Sequence, residues 1–402
     1  MAKVIVVGGG PAGIMAAINA AKNNEVILIE RNSEIGFKLR LTGGGRCNIT
    51  NNRDIEEFFD KIVTNKKFLY SSLYTFSNYQ LLEYFSSCGL KYKVEVENDQ
   101  KVFTESDKAT EVIELLKNEL LKNNVEVIYN TKVVDLIIDN NVVKGIITDY
   151  GKKILGDKVI ISTGGKSYPN TGSDGSMYEV LSKYGHTITP IFPALIPLVI
   201  KEEYIKSLQG ISMKDVVISA KIKKKKYEKI GDMIFTHFGI SGPAVLKLSS
   251  YINKSLSEGE VELTLDFLHN KSREEISSMM KQNINKTVFN NLKGLLPQSF
   301  LKGIFELVGI LDVKASDLKK EDENKIVGYI KEMKLSVIDT LSIKAAQVTS
   351  GGIKVKEINS STMESRIINN LYFAGEVIDI DAETGGYNLQ MAFSTGYLAG
   401  MD

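Results

Sequence analysis

The sequence predicts an α/β fold: a parallel sheet contributed by both ends of the chain, with a β-rich insertion and a small helical part between them. Three observations predict it. The first thirty residues read strand, glycine turn, helix, strand. Two later runs, KVIISTGG at 158–165 and LYFAG at 371–375, again drive an apolar strand straight into glycine. Between those runs the pattern changes to alternating strands and then to amphipathic helices.

KVIVV at 3–7 is a continuous apolar run bounded by glycine, which reads as a strand buried on both faces of a parallel sheet. It enters GGGPAG, where Gly8, Gly10 and Gly13 occupy the G-x-G-x-x-G positions and enclose Pro11 and Ala12. A helix, IMAAINAAKNN, and a second strand, EVILIE, follow. Gly8 permits the tight turn, Gly10 lets the backbone approach a pyrophosphate, and Gly13 lets helix and strand pack closely, while the helix N-terminus faces the phosphates. Glu30, about 20 residues beyond the glycines, is placed to bond ribose hydroxyls, and its charge repels a 2′-phosphate. A lone glycine motif is weak evidence, but strand, glycines, helix, strand and acid in this order read as a dinucleotide site for FAD or NAD rather than NADP.

After Arg31 comes NSEIGFKLRLTGGGRCNITNN, a long stretch rich in Gly, Asn and Thr with weak periodicity. Loops of this length tend to be functional. It leaves the first strand–helix–strand unit near the pyrophosphate, so Gly43, Gly44 and Gly45 are expected to bring backbone N–H groups to an extended cofactor. Arg46 is expected near phosphate, flavin or a substrate anion, with Lys38 and Arg40 adding positive charge. The strand at 158–165 delivers Thr163 and Gly164 to the same side. In the tail, Gly375 allows backbone approach and Glu376 and Asp379 can accept ribityl hydroxyls. A Gly385-Gly386 turn follows, and Asn388 is a good N-cap for the helix LQMAFSTGYLAG. A helix aimed at a flavin pyrimidine ring stabilises negative charge on the reduced ring. Construction at both ends of the chain therefore favours FAD.

In the middle, ITPIFPALIPLVI carries three prolines and marks a crossing between domains. DVVISAKIKKKKYEKIGDMIFTHF reads as antiparallel strands with a polar hairpin at KKKK, the four lysines being a solvated tip. In FTHFGISGPAVL, Pro243 opens a helix behind exposed N–H groups. His237 beside it is a candidate proton carrier, its plainer role being a hydrogen-bonded structural histidine. SREEISSMMKQNIN, TVFNNLKGLL, QSFLKGIFELVGI and LKKEDENKIVGYIKEM read as helices, Ser272 and Glu275 forming a capping box.

A chain of 402 residues exceeds one ordinary domain, and 43% hydrophobic with 25% charged residues is a globular composition. Lys+Arg 50 against Asp+Glu 49 leaves a formal charge of +1, so no global field attracts nucleic acid or an anionic membrane. The expected partner is a small molecule. Cys47 and Cys88 form neither a disulfide framework nor a C-x-x-C pair, which fits a reducing cytoplasm. The N-terminal apolar run is too short for a signal peptide, and no stretch approaches the roughly 20 apolar residues of a membrane helix. His186, His237 and His269 lie in no metal-ligand spacing, so no metal is expected. The oligomeric state is not legible.

GGGPAG, GFKLRLTGGGRCN, FTHFGISGPAVL and TMESRIINNLYFAGEVIDIDAETGGYNLQMAFSTG together resemble the BaiN/aminoacetone-oxidase family of FAD-dependent oxidoreductases, along essentially the whole chain. The resemblance implies a Rossmann-type FAD-binding domain with an inserted β-barrel-like domain and a small helical domain. The expected boundaries are 1–190 and 353–402 for the FAD-binding domain, 191–268 for the barrel, 269–335 for the helices and 336–352 for strands returning from the insert. It also implies that FAD lies against Ala12, Gly13, Glu30, Arg31, Lys38, Leu39, Gly44, Gly45 and Arg46, with Val133 on the adenine side. Gly375, Glu376, Asp379, Asn388 and Leu389 are implied along the ribityl chain and flavin. Family activities include reduction of bile-acid intermediates and oxidation of aminoacetone, so the substrate stays open.

The flavin carries the redox step at its N5, and the catalytic candidates are Arg46 and His237. Cys47 lacks a partner thiol and reads as a small buried side chain. No second G-x-G-x-x-G follows a later strand, so NAD(P)H is expected only as a transient electron donor. Three readings remain: a reductase of an unsaturated or carbonyl compound fed by NAD(P)H, an amine oxidase producing peroxide from O2, and a non-redox FAD-binding or RNA-associated protein.

Overall fold

The computed structural model describes residues 1–401. The chain divides into two units, Met1–Phe192 with Ile343–Asp402, and Pro193–Ser342.

The first unit is built on a five-stranded sheet. Its strands are β1 (Lys3–Val7), β2 (Glu25–Ile29), β3 (Glu126–Ile128), β4 (Lys158–Ile161) and β5 (Leu371–Phe373), in the order β5-β4-β1-β2-β3. All pairings are parallel. Val4 to Val7 are buried, as a strand covered on both faces requires. Helix α1 (Pro11–Ala20) starts with proline at its first turn, where the missing N–H costs nothing. Helix α2 (Tyr387–Ala399) packs on it, and small residues bring the two backbones together. A Cβ added at Gly396 would lie 2.1 Å from the Ala12 carbonyl oxygen, and one at Gly400 would lie 2.3 Å from that of Ala16. A three-stranded antiparallel sheet (Val133–Asp139, Val142–Thr148, Lys153–Leu155) completes the frame needed for the site.

The second unit is a closed antiparallel barrel of Leu198–Ile200, Gly239–Ser241, Lys225–Phe235, Ser212–Ile222, Val261–Asp266 and Met333–Thr340, in that order. Alternation sets its inside: Val216, Ile218 and Ala220 are buried with Leu263, Leu265, Leu335 and Val337. The long hairpin turns at Lys223 and Lys224, within the expected KKKK tip. Helices Arg273–Met280, Gln298–Val308 and Lys320–Lys331 follow, the first held by the Ser272–Glu275 capping box.

Three expectations are corrected. The stretch 287–296 is not a full helix; only Val288–Asn291 is helical, because Gly294 takes φ +87° and Pro297 follows. The barrel's closing strand starts at Met333, inside the segment expected to be helical. Val348–Ser350, expected among the strands returning from the insert, falls in the first unit.

Candidate cofactor site

A long cleft in the first unit collects segments from both ends of the chain. Gly8 to Ala12 and Glu30 to Asn32 line one part, with Thr131 to Val133 beside them. Phe37 to Leu39, Ser162 to Gly164 and Thr171 to Asp174 form the sides. Gly375, Glu376, Ile380, Asn388, Leu389, Met391 and Ala392 form the remaining wall.

The glycine turn has the geometry its spacing demands. Gly8 sits at φ +105°, where a Cβ would be 2.7 Å from the Ser162 carbonyl oxygen. Gly13 does not line the cleft; its missing side chain lets α1 sit on the turn, since a Cβ would lie 1.9 Å from the Gly8 oxygen. Around Gly10 a Cβ would meet nothing within 4 Å, so the backbone there faces open space. Helix geometry leaves the first N–H groups of α1 without partners inside the helix, which makes this end a receptor for anions.

Glu30 is 6% exposed. Its Oε2 accepts the Gly9 N–H at 2.7 Å, and its Oε1 accepts the Asn32 N–H and side-chain amide, each at 2.8 Å. Burial pushes its carboxyl above the ordinary range despite these bonds. A carboxylate offers about four lone-pair sites, so acceptor capacity remains for a ribose hydroxyl. Arg31 reaches across to the Asp174 carboxylate at 2.5 Å and the Gly172 carbonyl at 3.3 Å, and Asn32 donates to the Thr171 carbonyl at 3.0 Å. The segment 171–174 is thereby tied to the end of β2. Burial opposes the charge on Asp174, but bonds from Arg31 and Ser176 prevail and hold its carboxyl well below the usual range.

On the opposite side Lys38 Nζ donates to Glu376 Oε2 and to Ser167 Oγ, both at 2.6 Å. Glu376 Oε1 accepts the Thr349 N–H at 2.7 Å and the Ser167 hydroxyl at 3.1 Å. Gly375, at φ +74°, brings its backbone against Ala12, with a Cβ position 2.7 Å from the Ala12 methyl.

Asn388 does not cap the last helix. Gly386, at φ +94°, holds the N-cap position, and the Asn388 amide clamps the preceding turn by accepting the Ala382 N–H at 3.0 Å and donating to the Ala382 and Glu383 carbonyls. Gly386 lies off the cleft, its Cβ position 2.4 Å from the Thr50 carbonyl group. Asp379 also lies off the cleft lining; Asn65 bonds its Oδ2 and carbonyl, while its buried Oδ1 has no partner.

The TGGGRCN loop behaves differently from the expectation. Thr42 lines the cleft, whereas Gly44, Gly45 and Arg46 do not. Gly43, Gly44 and Gly45 have φ of +59°, +67° and +91°, and Cβ atoms at the last two would meet nothing within 4 Å. The Arg46 guanidinium is engaged by Glu95 and by Asp107, with Nε–Oδ1 2.8 Å, and lies over the Phe103 ring at 3.9 Å. Its charge is met by protein carboxylates. Cys47 is fully buried, and burial pushes its thiol up to about 12, so it is not a thiolate nucleophile at neutral pH. His237, in the second unit, is exposed and meets the Phe238 ring edge-on at 5.0 Å.

The residues present fit FAD. The Ser173 hydroxyl is buried in the cleft wall without a partner, the α1 terminus opens onto space at Gly10, and the start of α2 lines the wall through Asn388 and Leu389. Sequence reasoning missed Asn32, Thr131, Lys132, Ser173 and Gln347 in the lining. No motif marks them, although Ser173 and Asp174 sit in a glycine-punctuated loop (TGSDG) that could have pointed to a segment crossing the cleft. Among the described residues no cluster of metal-ligating side chains occurs, and no helix is long and apolar enough to cross a membrane.

A parallel sheet that turns its first and last helices toward one extended cleft is how FAD-dependent oxidoreductases hold their cofactor, and this chain is one of them. It belongs to the family described as HI0933-like protein Rossmann domain, matched over residues 2–402. It is 33% identical to a 3-dehydro-bile acid delta(4,6)-reductase of Clostridium scindens, covering 100% of this chain and 98% of that one. It is also 30% identical to a ribosomal RNA dihydrouridine synthase of Haemophilus influenzae, over 98% and 96% of the two chains. Among solved structures it resembles a 3-ketosteroid-delta4-(5alpha)-dehydrogenase from Rhodococcus jostii, with TM-score 0.52 and 16% identity over 100% of this chain and 96% of that one, a likeness of fold.

Proposed function

We propose that the protein is a reductase that delivers hydride, by way of FAD and from NAD(P)H, to the far carbon of a carbon–carbon double bond conjugated with a carbonyl, a proton from water completing the reduction at the carbon next to the carbonyl. The observation that supports this is the chemistry shared by two relatives matched along nearly their whole lengths. A 3-dehydro bile acid with Δ4,6 unsaturation is a conjugated ketone, and the uracil ring reduced to dihydrouridine is a conjugated lactam. The substrates differ in size and charge, but the reacting group is the same. Bound FAD would supply a carrier for two electrons, taken up and passed on as one hydride. The chain's own residues hold and orient it. The first N–H groups of α1 receive the diphosphate, Glu30 takes a ribose hydroxyl with its remaining lone pair, and the Lys38–Glu376 pair fixes the wall between the Phe37–Leu41 turn and Gly375. A uridine of RNA is a second acceptor for the same step, favoured by the 30% identical relative.

Stopped-flow absorbance under anaerobic conditions tests the reading. NADH or NADPH is expected to bleach the bound flavin, and a 3-keto-Δ4 steroid or a uridine-containing RNA to restore the colour, while the saturated counterpart does not. Failure of both nicotinamides to bleach the flavin would overturn it, and peroxide formation from amines in air would replace it with the oxidase reading.

A further inference from the structure

In the first unit, the loop between β4 and the helix Ser176–Lys183 crosses the carboxyl end of the parallel sheet. Its earlier part is tied to the end of β2. Asn32 donates to the Thr171 carbonyl, Arg31 donates to the Gly172 carbonyl, and a Cβ at Gly172 would lie 3.2 Å from Arg31 Cδ. One residue on, the chain has reached the end of β4, since a Cβ at Gly164 would lie 2.8 Å from Ser173 Oγ. In the sheet β1 stands between β2 and β4, so the segment Thr171–Asp174 passes over the end of β1, where the glycine turn begins. An open parallel sheet holds its ligand in this crevice, beyond the strand ends and at the point where the strand order reverses.

Ser173 is 5% exposed and lines the cleft. Among the described residues it is the one cleft-lining residue whose buried side-chain oxygen has no hydrogen-bond partner. A hydroxyl so placed lowers stability unless a bound molecule satisfies it. Asp174, next in the chain, is gripped at both of its oxygens. Its Oδ2 accepts from Arg31 at 2.5 Å and lies 3.6 Å from Lys132 Nζ, while its Oδ1 accepts the Ser176 N–H at 3.0 Å. The ion pair fixes the segment to the end of β2, and the helix start fixes its far end.

We propose that Thr171–Asp174 is a strap across the adenosine diphosphate half of FAD, with the Ser173 hydroxyl hydrogen-bonded to that half and the Arg31–Asp174 pair as the latch. The neighbours of the strap identify the half. Glu30, which also holds Asn32, suits a ribose hydroxyl, and the first N–H groups of α1 suit a diphosphate. The strap governs how long the cofactor stays and takes no part in electron transfer, so the inference stands whichever acceptor the flavin reduces.

Two measurements on the full-length chain test the proposal: calorimetric titration of the flavin-free protein with FAD and with ADP, and release of FAD from diluted holoprotein. Ser173→Ala is expected to weaken FAD and ADP alike by about tenfold or more. Free of flavin, the same variant should melt no lower than the parent protein, because the hydroxyl it removes bonds nothing in the chain. Asp174→Asn keeps an acceptor for the Ser176 N–H and removes the charge that Arg31 grips, so FAD release is expected to quicken about threefold. Unchanged affinity for FAD and ADP in Ser173→Ala overturns the assignment of its hydroxyl. A loss for FAD without a loss for ADP places that hydroxyl at the other half and overturns it too, as does a lower melting temperature of the flavin-free variant, which makes it a group serving the fold. Release that is unchanged or slower in Asp174→Asn overturns the latch. Neither measurement involves a nicotinamide or an acceptor, so these failures leave the reductase reading untouched, and a flavin that no nicotinamide bleaches refutes that reading alone.

Discussion

Gly396→Ala is the sharpest test of how the cofactor wall is assembled. The added methyl would sit 2.1 Å from the Ala12 oxygen and 2.9 Å from its carbonyl carbon, both backbone atoms that cannot rotate away. Ordinary contact requires α1 and α2 to part by roughly 1 Å at this crossing, an overpacking that costs about 3 kcal/mol. Alanine recovers about 1 kcal/mol of helix propensity, so the net loss is about 2 kcal/mol. For a unit of this size that corresponds to a fall in Tm of roughly 4–8 °C. Ala12 lies in the cleft lining, so FAD affinity should fall with stability, by about tenfold for each 1.4 kcal/mol transferred to the site. Gly328→Ala is the control. It also lies inside a helix, Lys320–Lys331, but its Cβ would meet nothing within 4 Å. There the substitution should gain roughly 0.5–1 kcal/mol. Calorimetry and flavin-fluorescence titration of both variants provide the comparison. If Gly396→Ala melts at or above the parent protein with FAD affinity unchanged, the helices do not cross backbone to backbone.

Lys38→Met should weaken FAD binding more than Arg46→Ala does in the same titration, because Lys38 lines the cleft and Arg46 is held by Glu95 and Asp107; the reverse order would place Arg46 at the cofactor. Cys47 should resist iodoacetamide at pH 8 until the protein unfolds, and Cys47→Ser should keep its flavin and turnover, given complete burial and a thiol raised to about 12; rapid labelling of the folded protein would contradict this. His186 is buried, with Nε2 3.0 Å from the Ser365 hydroxyl and Nδ1 3.4 Å from Glu357, and burial lowers its affinity for a proton. The unfolded chain therefore binds a proton near pH 6.5 that the fold refuses. Its stabilising contribution is full above that pH and is lost as pH falls toward the depressed folded value, by at most about 1.4 kcal/mol per pH unit. Urea unfolding from pH 8 to 5 should show this slope, and His186→Gln should flatten it between pH 6.5 and 5.

The parts that local pattern determines were legible. KVIVV, the glycine turn, α1 and EVILIE are specified within thirty residues, and hydrophobic continuity with glycine spacing suffices to place them. The Ser272–Glu275 box and the lysine hairpin are equally local. Arg46 illustrates what was not legible. Beside three glycines it reads as a phosphate ligand, yet its partners Glu95 and Asp107 are 49 and 61 residues away, and nothing near position 46 announces them. Asn388 failed for a different reason: its residue type suits an N-cap, but glycine at φ +94° starts the helix two residues earlier and frees the amide to clamp Ala382.

The wall from Gly375 to Ala392 is translated some 20 to 80 seconds after the glycine turn it faces, at ordinary elongation rates of about 5–20 residues per second. Until then the small-residue face of α1 at Ala12 and Ala16 has no covering helix, and a nascent chain holds only half a receptacle. The second unit, being contiguous from 193 to 342, is able to fold during that wait. Flavin capture consequently waits on synthesis of the last helix, so FAD has no complete site on a chain that has not yet reached it.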